Sequence, residues 1–103
     1  MASSVDQSLR FAIANTRLIE VTYKGSVRLV EPHDYGVQKG SVRVFVYQLR
    51  PIVSASGRNV TRWRMLDVPK IERCTVTEQT FKGSRGTPGQ RHHVWDVLYA
   101  RVD

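Results

Sequence analysis

A chain of 103 residues with 41% hydrophobic side chains makes one small domain with a modest core. It is too apolar to be disordered and too short for a doubly wound nucleotide-binding fold or a (β/α)₈ barrel. Sixteen Lys and Arg against nine Asp and Glu leave a formal charge of +7, so an anionic partner is the first functional class to test.

No apolar run approaches the roughly 20 residues that cross a bilayer, so no membrane partner is expected. Residues 1–6 lack the basic and apolar regions of a secretory signal, and the single cysteine, Cys74, fits a reducing compartment. A cytoplasmic protein is expected.

The first element is a helix over about residues 4–15. Ser3 or Ser4 supplies a cap, with Asp6 or Gln7 three residues on, and Val5, Leu9, Ala12 and Ile13 form its apolar stripe. The period then switches to two. Residues 18–23 alternate as a half-buried strand, Lys24-Gly25 marks a turn, and residues 26–31 return as a hairpin that Pro32 should end. A further short strand is expected at 35–38, closed by Lys39-Gly40. Residues 41–49 (SVRVFVYQL) are apolar on nearly both faces and predict a central strand.

Residues 51–60 form a polar loop, and 61–66 alternate Arg62 and Arg64 against Trp63 and Met65. Val68-Pro69 interrupts before a strand at 71–77. Residues 82–90 are a Gly/Pro-rich loop, and 93–102 admit a strand or a helix. One helix followed by strands over about 18–77 predicts a mainly β domain spanning 1–103, a small SH3-like or Sm-like barrel. Its core should bury Leu9, Ile13, Val21, Leu29, Val44, Val46, Met65 and Ile71, with Phe45 and Trp63 also inside.

Catalytic and metal constellations are thin. Cys74 lies mid-strand, as a structural cysteine does. His33-Asp34 precede Gly36 in what reads as a shaped turn, with no nucleophile elbow elsewhere. His92 and His93 are adjacent and point apart on a strand, and no C-x-x-C occurs. The Gly83-Ser84-Arg85-Gly86 loop lacks the Walker lysine and following helix of a phosphate cradle, and Asn59-Val60-Thr61 is a sequon without meaning in a cytoplasmic chain. No catalytic residue, metal or cofactor is expected; an enzyme using His33 and Asp34 is the minor alternative.

Cations interleaved with aromatics give the stronger pattern. Between Asp34 and Asp67 no acidic residue occurs, while Lys39, Arg43, Arg50, Arg58, Arg62 and Arg64 all do. Gln79 to Trp95 is a second acid-free stretch, carrying Lys82, Arg85 and Arg91. Twelve of the sixteen cations are arginine, which binds phosphate bidentately and stacks on bases. Arg62 and Arg64, two apart on a strand, share a face at about 6.7 Å, near the spacing of successive phosphates. The candidate site combines Arg28, Arg62 and Arg64 with Tyr23, Tyr35 and Tyr47, and with His33 and Gln48 as polar readers.

The order of pieces resembles the bacterial WYL domain. The match runs through residues 9–23 (LRFAIANTRLIEVTY), 26–32 (SVRLVEP), Gly40, 43–49 (RVFVYQL), 63–72 (WRMLDVPKIE) and Phe81. Arg43-Val44-Phe45 stands where the family has its eponymous triplet, and Lys70-Ile71 retain part of its basic strand. The resemblance implies a divergent, stand-alone relative: an Sm-like, SH3-type barrel with an N-terminal helix. It also implies ligand sensing or nucleic-acid binding in transcription regulation. The expected partner is single-stranded nucleic acid or a small phosphorylated, nucleotide-like ligand. The alternative is a module docking an acidic surface of a larger regulatory complex.

Overall fold

The computed structural model describes residues 2–51, 62–85 and 94–102. Helix α1 (Ala2–Ala14) leads into β1 (Arg17–Tyr23), β2 (Ser26–Gln38), β3 (Ser41–Arg50), β4 (Trp63–Asp67), β5 (Ile71–Thr80) and β6 (Val97–Arg101). The protein is mainly β, an antiparallel sheet ordered β4-β3-β2-β1-β5, with β6 paired to β2. The predicted loop at 51–60, apart from Pro51, lies outside the described residues; so do His92, His93, the Asn59 sequon and residues 86–90 of the Gly/Pro-rich loop. No helix is long and apolar enough to cross a membrane among the described residues.

Both Lys-Gly turns form as the local sequence demands. Lys24-Gly25 and Lys39-Gly40 have positive φ at both positions (51° and 76°; 52° and 78°), the geometry of two-residue hairpin loops whose twist matches the flanking strands. The registers Tyr23↔Ser26 and Gln38↔Ser41 close directly on them.

Pro32 does not end its strand. β2 runs through it because the proline sits at a discontinuity in the ladder, where its missing N–H is tolerated. β1 pairs with β2 only as far as Val30, β6 takes over the same edge from Asp34, and the β3 register shifts between Pro32 and Asp34. The expected turn at His33-Asp34 is therefore a bulged strand interior. The extra residue reverses the alternation, so Val30 and Tyr35 both face the core.

The core lies on one face of the sheet beneath α1. Leu9, Ala12 and Ile13 of the helix are buried against Ile19, Val21, Val30, Val44, Val46, Leu66 and Ile71. The helix needs this surface, since an isolated helix of 13 residues is marginal in water. It begins at Ala2, two residues earlier than expected, and Asp6 accepts hydrogen bonds from Arg10 and Tyr35. Two expected core residues, Leu29 and Met65, are half-buried because their registers put them on the other face. Leu29 lies opposite exposed Glu20, and Met65 lies opposite Phe45.

The outer strands β4 and β5 are consecutive in the chain, yet no ladder joins them, so the sheet does not close into the expected barrel. Residues Val68–Lys70 form a 3₁₀ turn between the two strands. The Asp67 N–H instead donates to the Tyr23 phenol at 3.1 Å, a link from β4 to β1 across the core face.

Residues 97–101 resolve the choice left open for the C-terminal stretch: they are strand. The bidentate pair of Arg101 with Asp34 (2.9 and 3.3 Å) fastens β6 to the bulge, and the Asp34 side chain is fully buried.

Candidate functional site

The eight sequence-predicted site residues separate into three places. On the core face, at the end of the sheet carrying the β1–β2 hairpin, Arg28 lies opposite Val21, Gln48 opposite Val30, and Arg64 opposite Val46. Residues facing each other across a ladder share a side, so all three project on the side of the core valines. The Arg62 carbonyl accepts from the Gln48 N–H at 2.8 Å, extending this ladder one residue before β4. Alternation then sets Arg62 on the same side as Arg64.

Tyr23 forms the floor of this rim. Its ring is buried, with the Arg28 guanidinium 5.3 Å and the Lys24 ammonium 5.7 Å from its centroid. Gln48 is also buried; its amide donates to the Pro51 carbonyl at 3.1 Å, and its oxygen accepts from Arg28 at 3.5 Å. Gln48 thus orients Arg28. The Arg64 Nη1 donates to the Trp63 carbonyl at 2.9 Å. Ion pairs lie elsewhere in the molecule: Arg10 with Asp6, Arg43 and Lys70 with Asp67, Arg85 with Glu31, and Arg101 with Asp34.

Tyr47 and His33 lie on the opposite face. There Phe45 stacks on Trp63 (4.7 Å, 8°), while Tyr47 and His33 meet the same indole edge-on at 5.1 and 4.8 Å. Phe45 and half-buried Trp63 are therefore a second apolar layer, separate from the helix-covered core. Arg85 lies 3.7 Å over the Tyr47 ring and makes two hydrogen bonds to Glu31, at 2.7 and 2.9 Å. The guanidinium occupies a ring face that a base would need.

His33 is buried completely, between Trp63 and Phe81. Burial lowers its imidazole pKa, outweighing the hydrogen bond to the Glu31 carbonyl and the neighbouring carboxylates. A neutral ring donates from Nδ1 to that carbonyl at 2.9 Å, and Nε2 is a buried acceptor without a partner among the described residues. It is a packed residue in this arrangement, closed to a ligand at the rim.

Tyr35 is buried under α1. Its hydroxyl donates to Asp6 at 2.7 Å, and its ring packs edge-on against Tyr99. Burial and the hydrogen bond to Asp6 push the phenol well above its ordinary range.

Alternation alone groups Arg62 with Arg64, whereas Arg28 and Gln48 are brought to the same side by the strand registers. Arg85 and Glu31, 54 residues apart, were not among the predicted site residues, and no local pattern links them. The segment carrying Arg85 lines a cleft of about 500 Å³ on the outer face.

Among the described residues no group of three or more His, Cys, Asp or Glu could hold a metal ion. Burial pushes the Cys74 thiol up to about 11. No protein-family profile matches the chain, and no curated protein or solved structure is detectably similar to it.

Proposed function

We propose that this chain is a non-enzymatic regulatory module that binds single-stranded nucleic acid at the hairpin end of its sheet. Arg28, Arg62 and Arg64 neutralise successive phosphates, and Gln48 holds Arg28 in place. The observation that carries this reading is the gathering of those cations on one side of the sheet, Arg28 on β2 and Arg62 and Arg64 at β4, with β3 between them. Arg28 and Arg62 make no ion pair among the described residues, whereas the buried carboxylates Glu31 and Asp34 each have an arginine. A cation that exchanges condensed counterions for a phosphate contributes to affinity and to its salt dependence.

The strand order β4-β3-β2-β1-β5, with a 3₁₀ turn between β4 and β5, is in keeping with an opened SH3-type or Sm-type roll. A WYL-like reading of the sequence carries with it the proposal of a cytoplasmic regulatory role. A short phosphorylated ligand uses the same arginines at fewer contacts.

Anisotropy titrations of a labelled single-stranded oligonucleotide over a range of salt test the proposal. The log–log slope should fall by about 0.7 for each phosphate contact, so Arg28→Ala plus Arg62→Ala should flatten it by roughly 1.4. Equal slope and affinity in the double variant and the parent would remove this site. A second reading is docking of an acidic protein surface: the net charge of +7 supplies the attraction, and Val97 of β6 (50% exposed) and Val94 before it (81% exposed) supply apolar contact. Absence of oligonucleotide binding at low salt would turn the choice to it.

A further inference from the structure

The cleft on the outer face has the makings of a second site, independent of the rim proposed above. Its volume of about 500 Å³ lies within the range of small-molecule pockets. Leu18 of β1, Leu49 of β3 and Phe81 after β5 line it, together with Glu31, Lys82 and Arg85. Three apolar side chains from three segments of the chain thus share one cleft with three charged groups.

The charged groups are ordered. Glu31, almost wholly buried, takes hydrogen bonds from Arg85 Nε and Nη2, and the guanidinium rests on the Tyr47 ring. The bond to Glu31 raises the Arg85 pKa, so its charge is permanent. Glu31 neutralises one cation of the pair Lys82 and Arg85, which leaves a net charge of +1 among these groups. The third guanidinium nitrogen, Nη1, and the exposed Lys82 ammonium make no hydrogen bond among the described residues, so both are available as donors.

From this we infer that the cleft binds a small amphipathic monoanion: a flat apolar body lying against Leu18, Leu49 and Phe81, with one carboxylate held by Lys82 and Arg85. Apolar walls supply the affinity, and a few convergent donors fix the orientation. The pre-formed Arg85–Glu31 pair reduces what must be ordered on binding. A dianion is disfavoured because Glu31 remains buried beside it. The Gly83-Ser84-Arg85 segment, which lacks the features of a phosphate cradle, acquires a role here as the wall of a carboxylate site.

The test is a titration of the ¹⁵N-labelled protein with 2-naphthoate, followed by amide shifts, with neutral 2-naphthalenemethanol as control. Saturable 1:1 shifts centred on the amides of Leu18, Leu49 and Phe81 to Arg85 are expected. The Lys82→Gln variant should bind roughly tenfold more weakly, the loss expected for one charge-assisted contact, and the neutral analogue, which forfeits the contacts to both cations, more weakly still. Leu49→Ala should weaken the naphthyl compounds alike, and unchanged amide dispersion certifies that each variant is folded. Shifts confined to Arg28 and Arg62, unsaturated shifts at millimolar probe, or equal binding by Lys82→Gln would overturn the inference. The oligonucleotide titration reads the other face, so either proposal can fail without the other.

Discussion

The Tyr35 hydroxyl donates to the Asp6 carboxylate over 2.7 Å, tying the middle of β2 to the first turns of α1. This bond and the Arg10 guanidinium hold the Asp6 carboxyl below its usual range. A depressed folded-state pKa means stability that is present above the ordinary aspartate value and lost as pH falls below it. Tyr35→Phe keeps the buried ring and removes only the bond, so it should destabilise by about 0.5–1.5 kcal/mol at neutral pH. Carboxyl NMR titration should show the Asp6 pKa rising in the variant. A pKa unchanged by the substitution would assign the depression to Arg10 alone.

His33 governs a different pH window. Its folded-state pKa is lowered by burial, so below about pH 6.5 the unfolded chain binds a proton that the folded chain resists. Stability is full above that value and declines as the solution is acidified toward the folded pKa. His33→Phe preserves a ring between Trp63 and Phe81 while removing the titration. Thermal unfolding from neutral to mildly acidic pH should fall more steeply for the parent than for this variant. Parallel curves would show that another group is responsible.

Gly36 is a position where packing forbids a side chain. A Cβ there would be driven into the Val97 carbonyl and would lie 3.0 Å from the Leu98 Cα, both backbone atoms of β6. Gly36→Ala should therefore loosen β6 from β2, while the bidentate Asp34–Arg101 pair holds its far end. A loss of about 1–3 kcal/mol is expected, in the range of overpacking. Hydrogen exchange should accelerate most at residues 97–101. Uniform acceleration across the sheet would argue against a local detachment.

Cys74 faces the partly covered side of β5, and its thiol is pushed up to about 11 by burial alone. Very little thiolate exists near neutral pH, so an aromatic disulfide reagent should modify it slowly. The rate should rise sharply in denaturant, where the thiol regains its ordinary pKa and full access. Fast stoichiometric labelling of the folded protein would contradict this placement.

Local sequence determined several features of this protein. The Lys-Gly pairs at 24–25 and 39–40 impose hairpin turns because the two-residue loop requires positive φ at both positions, which glycine adopts without strain. The spacing of Leu9, Ala12 and Ile13 made one helix face apolar, and the pattern of residues 41–49 made β3 a strand packed on both sides. Arg62 and Arg64 share a side because a strand alternates. Tertiary structure decided the rest. Pro32 looks like a terminator until β6 takes over from β1 at the bulge, and one extra residue there reverses which side chains are buried. That reversal carries Tyr35 beneath the helix. The Arg85–Glu31 and Arg101–Asp34 pairs bridge 54 and 67 residues, so they exist only after the sheet has assembled. Periodicity reports the side of a strand on which a residue stands; what covers that side is set by segments distant in the chain, and a bulge resets the count.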